Sequence, residues 1–214
     1  MKEFRTEIEE MKRNPDEKFL TTRVGDKKII LKLVDLSEDT IVSISKWRNE
    51  NKNWFLSGIN ATKASTKKWI DDILKNPERL LYIIYLGNKK IGHIGIFHFD
   101  EENNTAEIDS VLKAVKNTHP ELMQKVLHVM FDLMFNSLKL SEVQLRVFSD
   151  NQKAINLYER AGMKITKTVP LKKNITSYGW IWNELELTDE NRIAERYLTT
   201  MKITKETYNN LKKF

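Results

Sequence analysis

The sequence predicts an α/β domain of the mixed α+β type, in which a central twisted mixed sheet of about seven strands carries helices on both faces. Three observations lead to this prediction. Short apolar, β-branched segments alternate along the chain with longer segments of helical periodicity. Gly87-Asn88 separates two apolar runs, which is a strong signal for a β-hairpin. Finally, 40% of the 214 residues are apolar and 31% are charged, which is enough to bury a core in one domain.

The first part of the chain predicts a strand followed by two helices. Residues 1–26 are polar and only weakly periodic, so we expect them to form an N-terminal extension. Residues 27–34 are apolar and β-branched, as in a strand. Apolar residues then recur at helical spacing between Leu36 and Trp47, and a second helix is predicted over residues 64–74.

The remainder of the chain predicts a three-strand meander followed by alternating helices and strands. The predicted strands are 80–86, 90–99, 105–112, 143–148, 163–169 and 179–187, and the predicted helices are 120–138 and 151–161. Gly162 is expected to end the shorter helix. These elements define a domain over residues 27–187, and residues 188–214 are expected to form a C-terminal helical tail.

Composition excludes several kinds of site. The chain has no cysteine, which excludes disulfides, thiolate metal sites and a cysteine nucleophile. His93, His119 and His128 lack ligand-like spacing, so we expect no metal. The charged N-terminus has no apolar run typical of a signal peptide, and no stretch approaches the ~18 apolar residues of a membrane span. We therefore expect a cytoplasmic protein without membrane insertion.

The charge pattern gives only a weak indication of the binding partners. The formal net charge is +6, but the lysines are scattered among nearly as many acids and no Arg/Lys block stands out. Nucleic acid is therefore not expected as a partner. The mild basic excess is compatible with polyphosphate ligands.

The most specific stretch runs from Arg146 to Met163, where a strand ends in a polar turn and a helix begins. Asp150 or Asn151 is expected to cap this helix. The pattern N-x-x-A-hydrophobic-x-L-Y-E-[KR]-x-G-[FM] is matched at every position, and it resembles the GNAT superfamily of acyl-CoA N-acyltransferases. The likeness extends over residues 27–187, since the hairpin and the strand after it are similar to the central meander of that family.

The resemblance implies a binding site for acyl-CoA. In GNAT enzymes the fourth strand offers backbone groups to the pantetheine arm, the motif asparagine contacts the pantetheine or phosphates, and the motif tyrosine often protonates the departing thiolate. In this chain these are residues 108–112, Asn151 and Tyr158. A phenol with a pKa near ~10 is protonated at neutral pH, as such an acid must be, and the alternative role for this tyrosine is packing. The residues expected to contact acyl-CoA are Ile108, Asp109, Ser110, Val111, Leu112, Lys113, Lys116, Asn117, Asn151, Lys153, Ala154 and Tyr158.

The loop before the long helix departs from the family pattern. GNATs normally have [QR]-x-x-G-x-[GA] there, but residues 113–123 contain no glycine. A helix N-terminus still attracts phosphate, and Lys113 and Lys116 add positive charge. In contrast, Thr118 and Glu121 form a capping-box pattern whose carboxylate would compete for the same amides. Weakened CoA binding is therefore the alternative, although a subset of sugar-modifying GNATs has a similarly glycine-poor loop.

A general base is expected beside the thioester, because the acceptor amine must lose a proton before or during its attack. Glu107 and Asp109 lie on one face of the predicted strand, since side chains alternate along it. His98, at the end of the preceding strand, is the third candidate because imidazole changes charge near neutral pH. For each of them, a surface or hydrogen-bonding role is the alternative.

An acceptor pocket is expected around the first helix. Lys46-Trp47-Arg48-Asn49 with Trp54-Phe55 is similar to the acceptor-side helix of GNATs that acylate ribosomal proteins or amino sugars. Aromatic rings can stack on a base or sugar, and arginine can bind phosphate. The alternative is core packing for Trp47 and solvent exposure for the others. The expected acceptor-binding residues are Trp47, Arg48, Asn49, Trp54, Phe55 and Tyr178.

With the resemblance, these residues predict direct transfer of an acyl group from acyl-CoA to a primary amine through a tetrahedral intermediate. The donor is acetyl-CoA or a longer or hydroxylated acyl-CoA. The resemblance favours a nucleotide-linked (dTDP or UDP) amino-deoxy sugar of lipopolysaccharide or other surface-polysaccharide biosynthesis as acceptor. Alternatives are a protein N-terminal or aminoglycoside N-acetyltransferase, and a GNAT-like CoA-binding or regulatory module without turnover. The tail after Asp189 can pack on its own domain or on a second subunit, so a homodimer is also considered.

Overall fold

A nine-stranded mixed sheet forms the centre of the protein in a computed structural model that describes residues 2–186, 188 and 194–213. Its strands are β1 (Leu20–Val24), β2 (Lys27–Leu33), β3 (Leu80–Leu86), β4 (Lys89–Asp100), β5 (Thr105–Lys113), β6 (Glu142–Phe148), β7 (Lys164–Thr176), β8 (Gly179–Glu184) and β9 (Arg196–Thr204). They lie in the order β1-β2-β3-β4-β5-β6-β9-β7-β8. Only β5 and β6 pair in parallel among these neighbours. The predicted fold class is confirmed, with nine described strands instead of about seven.

Helices cover both faces of the sheet. They are α1 (Lys2–Arg13), α2 (Glu38–Glu50), α3 (Lys63–Lys75), α4 (Leu122–Asp132), α5 (Gln152–Arg160) and α6 (Lys205–Leu211). One hydrophobic cluster joins the sheet to α1, α4, α5 and α6, and a second joins it to α2 and α3. In β3, Tyr82 packs in the first cluster and its neighbours Leu81 and Ile83 pack in the second, which explains why this strand is apolar throughout. None of the described helices is long and apolar enough to span a membrane.

The expected polar N-terminal extension contains core elements. Helix α1 places Phe4, Ile8 and Met11 at the i, i+4, i+7 spacing, and all three are buried. The ring of Phe4 stacks on that of Phe99 at 3.9 Å between centroids. Strand β1 pairs with β2 along its whole length. The charged residues between them lie on the other faces of the helix, so the sequence of α1 carries an amphipathic pattern that the expectation of an extension overlooked.

The prediction of a helical tail is wrong for most of the described C-terminal residues. Strand β9 inserts between β6 and β7 and pairs antiparallel with both. Only α6 is helical, and Thr204 caps it by accepting a hydrogen bond from the amide of Thr207. Met201 and Ile203 are buried in the first hydrophobic cluster, and Leu198 is buried on the opposite face with Phe148 and Leu171, as expected for a strand inside the sheet. Residues 187 and 189–193, where the predicted tail was to begin, lie outside the described residues.

The long predicted helix begins later than expected and lacks the predicted cap. Helix α4 begins at Leu122, with Glu121 at its N-cap position making no side-chain capping bond. The hydroxyl of Thr118 instead accepts a hydrogen bond from Nζ of Lys113 at 3.0 Å. The predicted capping box is therefore wrong, because the Thr118 hydroxyl is bound to a lysine and lies outside the helix. A π-helical turn, Leu133–Ser137, continues α4.

Candidate active site

Strands β5 and β6 separate and leave a cleft between them. They pair over only three residue pairs, the last of which is Glu107 with Gln144. Beyond this point a cavity of about 510 Å³ opens, and residues 107–112 and 145–148 form two of its walls. We call this cavity the central cleft. Backbone groups of β5 that would otherwise pair with β6 face the cleft, so they are available to a ligand.

Tyr158 and its helix form the floor of the central cleft. Asn151 caps α5 by accepting a hydrogen bond from the amide of Ala154 at 3.2 Å. Asn151, Ala154 and Tyr158 all line the cleft. Tyr158 is buried, and the structure gives its hydroxyl no hydrogen-bond partner within the described part of the chain. Burial raises the pKa of this phenol above its ordinary value. The group therefore stays protonated at neutral pH, as a general acid requires.

The two carboxylates of β5 both line the central cleft, and each is paired with an arginine. Nε of Arg146 lies 3.0 Å and 3.1 Å from the two oxygens of Glu107. Arg79 lies 2.9 Å from Oδ2 of Asp109, whose other oxygen is buried without a partner among the described residues. Burial raises the pKa of Asp109, although the Arg79 charge opposes this. The two acids are therefore brought together as predicted, but neither is a free carboxylate.

His98 lies at the cleft next to Glu107. Its Nδ1 is 3.3 Å from Oε2 of Glu107, and half of its side chain is exposed. If Nδ1 carries the proton that is shared with the carboxylate, Nε2 is left as a free acceptor for a substrate proton. His98 also has a φ of 51°, at an irregularity where β4 and β5 lose their register. All three predicted base candidates thus lie around one cavity.

The residues predicted to bind the phosphates of acyl-CoA lie outside the lining of the central cleft. Lys113, Lys116, Asn117 and Lys153 do not line the central cleft. Burial lowers the pKa of Lys113, and the charge of Lys153 lowers it further. Lys153 lies in the first turn of α5, where its charge and the helix N-terminus attract anions without any glycine loop.

Three of the six predicted acceptor residues lie at the central cleft: Arg48, Trp54 and Phe55. The guanidinium of Arg48 lies over the rings of Trp69, at 4.6 Å, and Phe55, at 5.0 Å. No carboxylate of the described residues pairs with it. Burial lowers the pKa of Arg48 and the Arg79 charge lowers it further, while the charge of Asp109 opposes this shift.

The other three predicted acceptor residues do not line the central cleft. Trp47 is 8% exposed and packs in the core with α3. The side chain of Asn49 binds both the amide and the carbonyl of Ala61 at 2.8 Å, so it fixes the turn before α3. Tyr178 is exposed at the turn after β7 and lines a separate surface cavity with Lys52. Neighbouring residues on a helix point in different directions, which is why Arg48 reaches the cleft and Trp47 does not.

Several residues at the central cleft were not predicted. They are Leu56, Ser57, Trp69, Arg79, Phe97, Leu145, Arg146, Val147, Phe148 and Leu198. The segment 56–58 is held by β8, since the amide of Gly58 donates to the carbonyl of Trp180 and that of Trp182 to the carbonyl of Leu56, both at 2.8 Å. Arg146, Val147 and Phe148 belong to the specific motif stretch, although no role in the site was assigned to them from the sequence. Arg79 had no local signal.

The cleft between two diverging parallel strands, with a protonated phenol and two carboxylates in its lining, has the concave form and the titratable groups of an enzyme active site. The family model described as "Acetyltransferase (GNAT) domain" matches residues 29–164, and the chain belongs to this family. It is therefore a CoA-dependent N-acyltransferase. No match is found among the curated proteins.

Solved structures share the fold. The spermidine N-acetyltransferase of Vibrio cholerae, in complex with CoA and spermine, is 15% identical and aligns with a TM-score of 0.66 over 84% of this chain and 98% of that one. A chimera of spermidine N-acetyltransferase SpeG from Vibrio cholerae and hSSAT is 14% identical, with a TM-score of 0.67 over 85% of this chain and 98% of that one. At these low sequence identities, the likeness between this chain and the two solved structures is one of fold alone.

The site fits acyl-CoA. Backbone groups along the open edge of β5 would hold a pantetheine arm, and Lys113 and Lys153 are the candidates for its phosphates. Among the described residues, no group of three or more His, Asp and Glu side chains is arranged to hold a metal ion.

Proposed function

We propose that the protein acetylates a primary amine on a negatively charged acceptor, and that a nucleotide-linked amino-deoxy sugar, activated with dTDP or UDP, is this acceptor. Such sugars are used in surface-polysaccharide biosynthesis. The observation that carries the proposal is the guanidinium of Arg48 in the wall of the central cleft, without a carboxylate partner in the described residues.

The charges of the central cleft favour an anion. Arg79 and Arg146 are balanced by Asp109 and Glu107, so Arg48 contributes an additional positive charge. A partly buried guanidinium without a partner is costly, and a phosphate or carboxylate of the acceptor would satisfy it with charge-assisted hydrogen bonds. The rings of Trp54 and Phe55 at the cleft would stack on a sugar or base.

The same charges disfavour a polycation. The spermidine N-acetyltransferases that share the fold act on a polyamine by name, and one of them binds spermine. A polyamine or an aminoglycoside would need carboxylates free to pair with its ammonium groups. Here Glu107 and Asp109 are already paired with arginines, and Arg48 would repel the substrate.

A protein N-terminus is also disfavoured. A peptide acceptor needs an open groove next to the thioester. In this chain Leu56 and Ser57 line the cleft, and hydrogen bonds to β8 fix their segment, which leaves less room for a peptide chain.

We assign the proton transfers to residues on opposite sides of the reacting carbon. The amine nitrogen forms a bond to the thioester carbon, and the bond from that carbon to sulfur breaks. His98, oriented by Glu107, takes the proton that the amine loses, and Tyr158 gives a proton to the departing sulfur. Asp109 remains the alternative base, because it lines the central cleft and burial raises its pKa.

The test is an acetyl-transfer assay read by mass spectrometry. The panel contains dTDP- and UDP-linked amino sugars, spermidine, an aminoglycoside and a peptide with a free N-terminus, each with acetyl-CoA and a longer acyl-CoA. We expect the nucleotide sugars to give the highest kcat/KM, and Arg48→Gln to raise their KM at least tenfold. Arg48→Gln should leave the dissociation constant of acetyl-CoA unchanged.

Two outcomes would contradict the proposal at different levels. Spermidine as the best substrate, with Arg48→Gln improving its use, would overturn the anionic acceptor. If neither acetyl-CoA nor CoA raised the melting temperature, the chain would be a non-catalytic module and the whole proposal would fail.

A further inference from the structure

Strand β5 contains a β-bulge where it lines the central cleft. Between the pairs His93–Leu112 and Gly95–Asp109, β5 has one residue more than β4. Ser110 lies in this bulge with a φ of 51°, in the left-handed region that costs a non-glycine residue about 1 kcal/mol. A bulge re-aims the backbone groups of its strand, but such a strained conformation persists only when neighbouring groups hold it.

The side chain of His93 holds the bulge from the strand behind it. Its Nδ1 lies 2.6 Å from the carbonyl oxygen of Ser110. A carbonyl only accepts hydrogen bonds, so Nδ1 carries the proton and donates it. The ring is fully buried and is contacted by the rings of Trp47, at 6.2 Å, and Trp69, at 6.5 Å.

The second ring nitrogen of His93 has no hydrogen-bond partner within the described residues. Burial lowers the pKa of His93 to about 4, so the ring is neutral at the pH at which enzymes normally work. A proton-transfer role is excluded by this burial, because His93 does not line the central cleft. Its one polar contact among the described residues is therefore the carbonyl of Ser110.

We propose that His93 is a positioning residue for acyl transfer, which fixes the carbonyl of Ser110 and so sets the direction in which the bulged backbone of β5 presents its amides to the thioester. These amides face the cleft because β6 no longer pairs with β5 beyond Glu107. Amide donors that stabilise the developing oxyanion must be placed accurately, and a displacement near 1 Å costs about 100-fold in rate. The inference rests on the proposed acyl transfer but not on the identity of the acceptor.

The experiment compares His93→Asn with His93→Gln. The amide nitrogen of asparagine can occupy the place of Nδ1, whereas that of glutamine reaches the place of Nε2 and leaves the carbonyl of Ser110 unbound. Both replacements are polar and smaller than or similar to imidazole, so the cost of burial is matched. We expect His93→Gln to lower kcat about 10- to 100-fold with little change in the KM of the acceptor, and His93→Asn to retain most of the activity.

Binding measurements separate positioning from general damage. CoA lacks the thioester carbonyl, so its dissociation constant should be the same in both variants and in the native protein. Hydrogen exchange at residues 110–112 should be faster in His93→Gln than in His93→Asn, and this readout needs no substrate. Equal kcat values in the two variants, or equal exchange at the bulge, would overturn the proposal. Native protein that fails to transfer the acetyl group would refute the proposed function, while the exchange comparison would still test the role of His93.

Discussion

The guanidinium of Arg79 lies 2.9 Å from the carboxylate of Asp109, at a point where both side chains are mostly buried. Arg79 follows the turn after α3, and Asp109 belongs to β5. The ring of Phe97 also packs against the guanidinium, at 4.3 Å. The pair therefore joins the α3 turn to the wall of the central cleft.

Replacement of Arg79 should destabilise the folded protein, because it leaves the charge of Asp109 buried without its partner. We expect Arg79→Met to lower the free energy of unfolding at pH 7 by about 3 kcal/mol, because an unpaired buried carboxylate remains. The folded-state pKa of Asp109 is already raised, so the folded state binds its proton more tightly than the unfolded state and loses stability as pH rises. The destabilisation by Arg79→Met should therefore shrink as the pH falls from 7 toward 4. Urea denaturation at several pH values measures this, with Arg79→Met/Asp109→Asn as the control that removes both charges.

The hydroxyl of Tyr158 should contribute to the rate of acyl transfer but not to the stability of the fold. The hydroxyl has no hydrogen-bond partner in the described structure, so Tyr158→Phe breaks no bond and should leave the melting temperature unchanged. We expect kcat to fall about 100-fold or more, since general acids contribute this much. The dissociation constant of acetyl-CoA should change less than twofold by calorimetry. An unchanged kcat would remove Tyr158 as the acid.

The pH–rate profile should identify the base. We expect His98→Gln to lower kcat/KM and to change the rising limb of the profile, because the acceptor of the substrate proton is lost. Glu107→Gln should lower the rate less, since it removes the carboxylate that orients His98 and pairs with Arg146 but leaves the imidazole that accepts the proton. If Asp109→Asn alone changed the rising limb, the base would be Asp109. If none of the three changed it, water would take the proton.

The lysine pair should bind the phosphates of CoA. We expect Lys113→Gln and Lys153→Gln each to raise the dissociation constant of acetyl-CoA about tenfold, and to make binding less sensitive to salt. Acetyl-pantetheine has no phosphate at this position and serves as the control ligand, whose use should be unchanged. A loss that is equal for both ligands would indicate a damaged cleft instead.

The elements with strong local signals could be predicted from the sequence. Asn151, the apolar spacing after it and Gly162 predict α5, and the structure has Asn151 as its cap and Gly162 with a φ of 95° just beyond its end. Gly87 similarly predicts the hairpin that joins β3 to β4. Such signals depend on residues within one or two turns of each other, so they do not need the tertiary structure.

The features that depend on distant residues could not be predicted. Strand β9 was assigned to a helical tail. Its Thr-rich segment is stabilised as a strand by pairing with β6 and β7, which are distant in the sequence. The partners Arg79 and Arg146 of the two cleft carboxylates require the strand register. Trp47 and Arg48 were predicted together, but the helix turns them toward different surroundings, the core and the cleft.

The position of β9 has a consequence for how the protein is synthesised. While the ribosome has delivered only the residues up to β8, strand β6, which carries Arg146, has an unpaired edge, and so does β7. Two exposed strand edges in a nascent chain can pair with other chains. The cleft wall is therefore completed only after residues 196–204 have left the ribosome, and we expect chaperone binding or slow folding to protect the nascent protein until then.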